Sequence, residues 1–63
     1  MRFGERLKKA RSDMNLTQGD VANELYITRQ TISSWENEKT YPDISSLIQL
    51  NNYYQISLDT LLK

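Results

Sequence analysis

The chain contains no cysteine and no histidine. Disulfides are therefore excluded, and so are the thiolate and imidazole ligands on which most structural zinc sites depend. The same absences remove the commonest general base and the most reactive nucleophile of enzymes, and with only two glycines there is no glycine-rich phosphate loop. Glu36 and Glu38 are left as candidate acids, but they share one stretch of chain instead of converging from several. No catalysis, no cofactor and no metal are expected. Long apolar runs are missing as well. Nothing approaches the roughly 18 residues a membrane span needs, and Met1 to Arg6 lack the apolar stretch of a signal peptide, so a cytoplasmic location is expected. Net charge is also absent, because eight basic residues offset eight acidic ones. That balance argues against an indiscriminate polycationic binder of nucleic acid.

What is present is a single short domain, expected to span residues 1–63. A chain of this size buries only about 60% of the surface its unfolded form exposes, so helix packing, helped by a partner subunit, must hold it together. There is no internal repeat and no Gly/Ser linker, and Pro42 is the single proline. Charge is uneven along the chain. Arg2, Arg6, Lys8, Lys9 and Arg11 crowd its start against Glu5 alone, a pattern that an ordinary solvated helix face explains.

Hydrophobic spacing predicts helices throughout. Phe3, Leu7, Ala10 and Met14 line one face of a first helix over about residues 2 to 13. Thr17 with Asp20 three positions on is the layout of a helix cap, and Val21, Ala22 and Leu25 form the apolar face behind it. Thr28 is the next cap, followed by Ile32 and Trp35. Only Leu25 to Ile27 separate these two helices, which must then meet at a steep angle. Pro42-Asp43 stops the chain and starts a fourth helix over about residues 44 to 54, with Ile44, Leu47, Ile48 and Tyr53 or Tyr54 facing inward. Ser57 can cap a short fifth helix carrying Leu58, Leu61 and Leu62. The Tyr-Ile-Thr stretch from Tyr26 is too short for a strand, so the fold is expected to be all-α.

On the helix after Thr28, Ile32 and Trp35 face the core, while Arg29, Gln30, Ser33 and Ser34 offer polar groups on the other side. Arginine suits bidentate bonding to guanine O6 and N7, and glutamine to adenine N6 and N7. Taken alone, that face also fits a plain solvated helix. Trp35, Tyr41, Tyr53 and Tyr54 are spaced for core and interface, not for a platform that stacks single-stranded bases.

The stretch Leu16-Thr17-Gln18-Gly19-Asp20-Val21-Ala22-Asn23-Glu24-Leu25-Tyr26-Ile27-Thr28-Arg29-Gln30-Thr31-Ile32-Ser33-Ser34-Trp35-Glu36-Asn37-Glu38-Lys39 resembles the phage repressor and Cro type of helix-turn-helix. The likeness continues through Tyr41-Pro42 and the Ile44 to Leu50 helix to the terminal leucines. It implies a compact five-helix lambda-repressor-like domain whose recognition helix, residues 28–36, lies in the major groove of double-stranded DNA. It implies a sequence-specific transcriptional regulator, a repressor, working as a homodimer on a palindromic operator. By the resemblance, Arg29, Gln30, Ser33 and Ser34 read bases. Gln18, Thr28, Asn37, Lys39 and Thr40 hold the DNA backbone, and Arg11 and Glu36 form a structural ion pair between helices 1 and 3. Tyr54, Leu58 and Leu62 exceed what so small a core should bury, which places the region after Tyr53 and the 37–41 loop nearest the partner copy.

Two residues depart from the family pattern. Tyr26 and Glu38 stand where glycine is usual, so the first turn is expected to be strained or reshaped, and Glu38 brings a negative charge to the phosphate-holding loop. The same fold also serves as a protein-interaction module, such as an antitoxin or assembly domain, and neutral net charge permits that alternative. Salt-sensitive binding to a particular duplex separates the two readings. Ending at Lys63, the chain also fits the N-terminal part of a longer regulator.

Overall fold

The computed structural model describes residues 2–55, which form four helices and, among the described residues, no strand. These are α1 (Phe3–Asp13), α2 (Gln18–Glu24), α3 (Arg29–Glu36) and α4 (Ile44–Tyr54). The fifth helix expected after Ser57, with Leu58, Leu61 and Leu62, lies outside the described residues. No helix among the described residues is long and apolar enough to cross a membrane.

Short polar side chains start the helices. The first amides of a helix have no partner within it, and an oxygen one position outside can accept from them. Thr17 accepts from the Asp20 amide at 3.0 Å, and the Asp20 carboxylate accepts from the Thr17 N–H at 2.9 Å. Thr28 accepts from the Thr31 amide at 3.2 Å and Asp43 from the Ser46 amide at 2.8 Å. At α1 the Arg2 N–H donates to the Glu5 carboxylate at 3.0 Å.

The bonds from Thr17 and Ser46 hold the Asp20 and Asp43 carboxyls below the ordinary range. A depressed carboxyl stabilises the fold above its unfolded pKa, and that stabilisation is lost as pH falls through the folded value. Asp43→Ala is therefore expected to lower Tm by several degrees near neutral pH, with the deficit shrinking in strong acid as the wild type loses the same bond. Thermal melts across an acid series check this. A deficit independent of pH would mean that the carboxylate is not the cap.

The core joins all four helices: Leu7 from α1, Val21 and Ala22 from α2, Ile32 and Trp35 from α3, and Leu47, Leu50 and Tyr54 from α4. Two apolar faces differ from the sequence expectation. Met14, the C-cap of α1, keeps the helical spacing from Leu7 and Ala10 but is exposed at the helix end. On α4 the buried set is Leu47, Leu50 and Tyr54, while Ile44 and Ile48 are exposed. Tyr54 is thus consumed by its own core and supplies no excess surface for a partner, contrary to expectation.

Each helix is followed by one residue of positive φ, namely Asn15 (58°), Tyr26 (59°), Glu38 (60°) and Gln55 (57°), and none is glycine. After α1, α2 and α3 the next amide bonds back across the joint: Leu16 N–H to Arg11 O at 3.1 Å, Ile27 N–H to Ala22 O at 2.9 Å, and Lys39 N–H to Ser34 O at 2.9 Å. These are the six-to-one bonds of a left-handed helix cap, which absorb carbonyls that would otherwise be orphaned. Left-handed geometry costs a residue with a Cβ roughly 1–2 kcal/mol. Tyr26 and Glu38 therefore do not reshape their turns. They hold the glycine geometry at a cost.

Candidate nucleic-acid interface

The alternation of faces on α3 follows from its spacing. Ile32 points into the protein, as do Trp35 and Glu36, three and four positions after it, and the remaining positions are less buried. Arg29 and Gln30 occupy the first outward turn and are exposed. Neither side chain has a partner among the described residues. Ser33 and Ser34, one turn on, are half-buried. The Ser33 hydroxyl accepts from Asn37 Nδ2 at 3.2 Å, which ties Asn37 to the helix it follows.

On either side of this face lie the other candidates. Thr28 is exposed, but its hydroxyl already caps α3 and lies 2.9 Å from the Thr31 hydroxyl. Asn37, Lys39 and Thr40 are exposed in succession after α3, where the Ser34 carbonyl accepts from the Lys39 amide at 2.9 Å and the Thr40 amide at 3.5 Å. The loop is thereby folded back on its helix. Glu38 leans the other way, with its carboxylate 3.8 Å from Arg2 Nη1, so the charge expected to oppose phosphate is drawn toward a cation at the start of α1.

Behind α3 sits a polar cluster that joins α1, α2 and α3. Arg11 Nε donates to Glu36 Oε2 at 2.7 Å and Arg11 Nη2 to Glu36 Oε1 at 3.1 Å, a two-pronged pair, while Nη1 donates to the Leu16 carbonyl at 2.9 Å. The side chains are 13% and 3% exposed. Glu36 holds the guanidinium above its usual pKa. Gln18 Nε2, at the first residue of α2, donates to Glu36 Oε1 at 3.1 Å. From α4, the Tyr54 hydroxyl is pushed well above the usual phenol range by burial and then by the Glu36 charge. Glu36 ends α3, so the cluster ties that end of the helix to α1 and α2. The Gln18 to Glu36 bond was not foreseen from the sequence; a glutamine at the head of a helix carries no sign of which way it turns.

A second unforeseen contact lies at Gly4, inside the first turn of α1. A Cβ there would run into the Glu36 carbonyl oxygen and lie 2.9 Å from Glu38 Cγ, so α1 and the end of α3 meet backbone to backbone.

The helix-turn-helix domain pattern matches residues 4–63. The chain belongs to the helix-turn-helix domain family. This helix-turn-helix chain is 40% identical over 98% of its length to the HTH-type transcriptional activator BcrR of Enterococcus faecalis, of which it covers 30%. It is 39% identical over 98% of its length to the HTH-type transcriptional regulator ImmR of Bacillus subtilis, of which it covers 49%. The chain thus spans half or less of the length of these relatives. Among solved structures, it is similar to the P22 c2 repressor protein crystallised in complex with a synthetic operator, with 30% identity and a TM-score of 0.93 over 100% of this chain and 96% of the other. The all-helical fold of the phage repressor helix-turn-helix type is thereby established.

Proposed function

We propose that this chain is the DNA-binding domain of a sequence-specific transcriptional regulator, acting as a repressor, with α3 in the major groove. One observation carries the reading: α3 offers an unpartnered Arg29 and Gln30 at its first turn, within a fold that matches an operator-bound repressor at a TM-score of 0.93. The first turn of a recognition helix reaches furthest into the groove, where arginine and glutamine have the donors to distinguish guanine and adenine. Ser33 and Ser34 extend the base-facing side. Gln18, through the amide N–H that Glu36 does not take, and Thr28, Asn37, Lys39 and Thr40 flank it and hold phosphates. Two copies bind about the axis of a palindromic site, with half-sites ~34 Å apart on one DNA face. Exposed Tyr41, Ile44 and Ile48 offer apolar surface for that pairing.

Duplexes selected from a random pool by the purified protein provide the test. On a selected duplex, Arg29→Ala or Gln30→Ala is expected to cost about 1–3 kcal/mol and to relax the choice of base at one position. Lys39→Ala is expected to weaken matched and mismatched duplexes alike and to make the salt slope shallower by about one unit. Equal losses on every sequence for Arg29→Ala and Gln30→Ala would reassign those side chains to phosphate.

A further inference from the structure

Tyr26 is 95% exposed, the most extreme exposure of any large hydrophobic residue among the described ones. Its neighbours Leu25 and Ile27 are half-buried and packed against the core, so the turn between α2 and α3 throws the intervening ring outward. The turn itself is firm, closed by the Ile27 to Ala22 bond at 2.9 Å. Tyr26 holds φ at 59°, a conformation unfavourable for a bulky side chain. The other left-handed residues at interhelical joints have a local reason: Asn15 is of a type that tolerates the geometry, and Glu38 reaches Arg2. Tyr26 has no partner among the described residues that would offset its strain.

The position of this ring next to the first turn of α3 supplies a reason. Tyr26 lies two residues before the cap Thr28 and three before Arg29, at the end of α3 proposed to enter the groove. Charge supplies a second. From Thr17 to Thr40 the chain has two cations, Arg29 and Lys39, against four acids, Asp20, Glu24, Glu36 and Glu38. With so few cations on this stretch, neutral donors must carry much of its hold on the DNA backbone, and tyrosine hydroxyls can do so through phosphate oxygens.

We infer that Tyr26 is an additional backbone contact, its hydroxyl donating to a phosphate oxygen beside the groove that receives α3. The inference rests on the proposed DNA-binding function. Its signature differs from that of Lys39, because a neutral donor displaces no counterion and leaves the salt slope unchanged. The experiment compares wild type, Tyr26→Phe and Tyr26→Gly on a duplex selected by the wild type, on mismatched versions of it, and at several salt concentrations, with Tm measured in parallel. Tyr26→Phe keeps the ring and the turn and is expected to weaken binding about 3- to 10-fold on every sequence, with the salt slope unchanged. Tyr26→Gly relieves the strain and is expected to raise Tm while weakening binding at least as much. Undiminished affinity in Tyr26→Phe overturns the inference, as does a loss confined to one base position or a changed slope. Failure of the wild type to select any duplex removes the DNA-binding reading itself, and this inference with it.

Discussion

Arg11→Ala is expected to cost about 3 kcal/mol of stability, the low end of what breaking a buried ion pair costs, because the Arg11 side chain keeps a little exposure. The loss arises at Glu36. Without Arg11, its carboxylate keeps one donor, Gln18, for a charge that is 3% exposed. For so small a domain that is a large share of the whole folding free energy. Urea denaturation would measure it, and a cost below about 1 kcal/mol would place the pair among surface bridges of little consequence. Replacing both partners with apolar residues, as in Arg11→Met with Glu36→Leu, is expected to recover most of the stability, since a well-packed apolar pair often equals a buried ionic one. Affinity for a selected duplex should recover less, because the apolar pair cannot hold Gln18 and so loses the tie from α2 to the end of α3. Full recovery of both would show that the cluster stabilises without orienting.

The starts of the helices were legible in the sequence because their signals are local. Thr17, Thr28 and Asp43 accept from the amides their spacing implied. The inward face of α3 was legible for the same reason, Ile32 and Trp35 lying three positions apart. The α4 face was not. Ile44, Leu47, Leu50 and Ile48 are all apolar, so two overlapping stripes satisfy helical periodicity, and only tertiary packing chose the one through Leu47, Leu50 and Tyr54. The left-handed turns read poorly for a different reason. Their usual marker is glycine, and the positive φ at Tyr26 and Glu38 is imposed by the helix-capping bonds around them, against the preference of the residue. Of the proposed interface, residue type and place on the helix were readable for Arg29 and Gln30, whereas the inward turn of Gln18 and the lean of Glu38 toward Arg2 depend on neighbours far along the chain.

Gly4 is where local and tertiary reasoning give opposite signs. Alanine is about 1 kcal/mol better than glycine inside a helix, so propensity alone predicts that Gly4→Ala stabilises α1. Packing predicts the reverse. The new methyl would overlap the Glu36 carbonyl, which is backbone and part of the end of α3, and cannot rotate aside as a flexible side chain would. Overpacking of a tight contact costs about 1–3 kcal/mol and sometimes more, and a backbone neighbour puts Gly4 at the top of that range. The net expectation is a loss of about 2 kcal/mol. Relief requires α1 and the end of α3 to separate, and that movement carries the Glu36 carboxylate away from Arg11. The two changes should therefore not add: Gly4→Ala combined with Arg11→Ala is expected to cost less than the sum of the single variants, because each disrupts the same junction. A double-mutant cycle in urea measures the coupling. If Gly4→Ala proved more stable than wild type by the propensity difference, the backbone contact between α1 and α3 would have to be looser than the structure shows, and the additive result in the cycle would confirm that the ion pair does not depend on it.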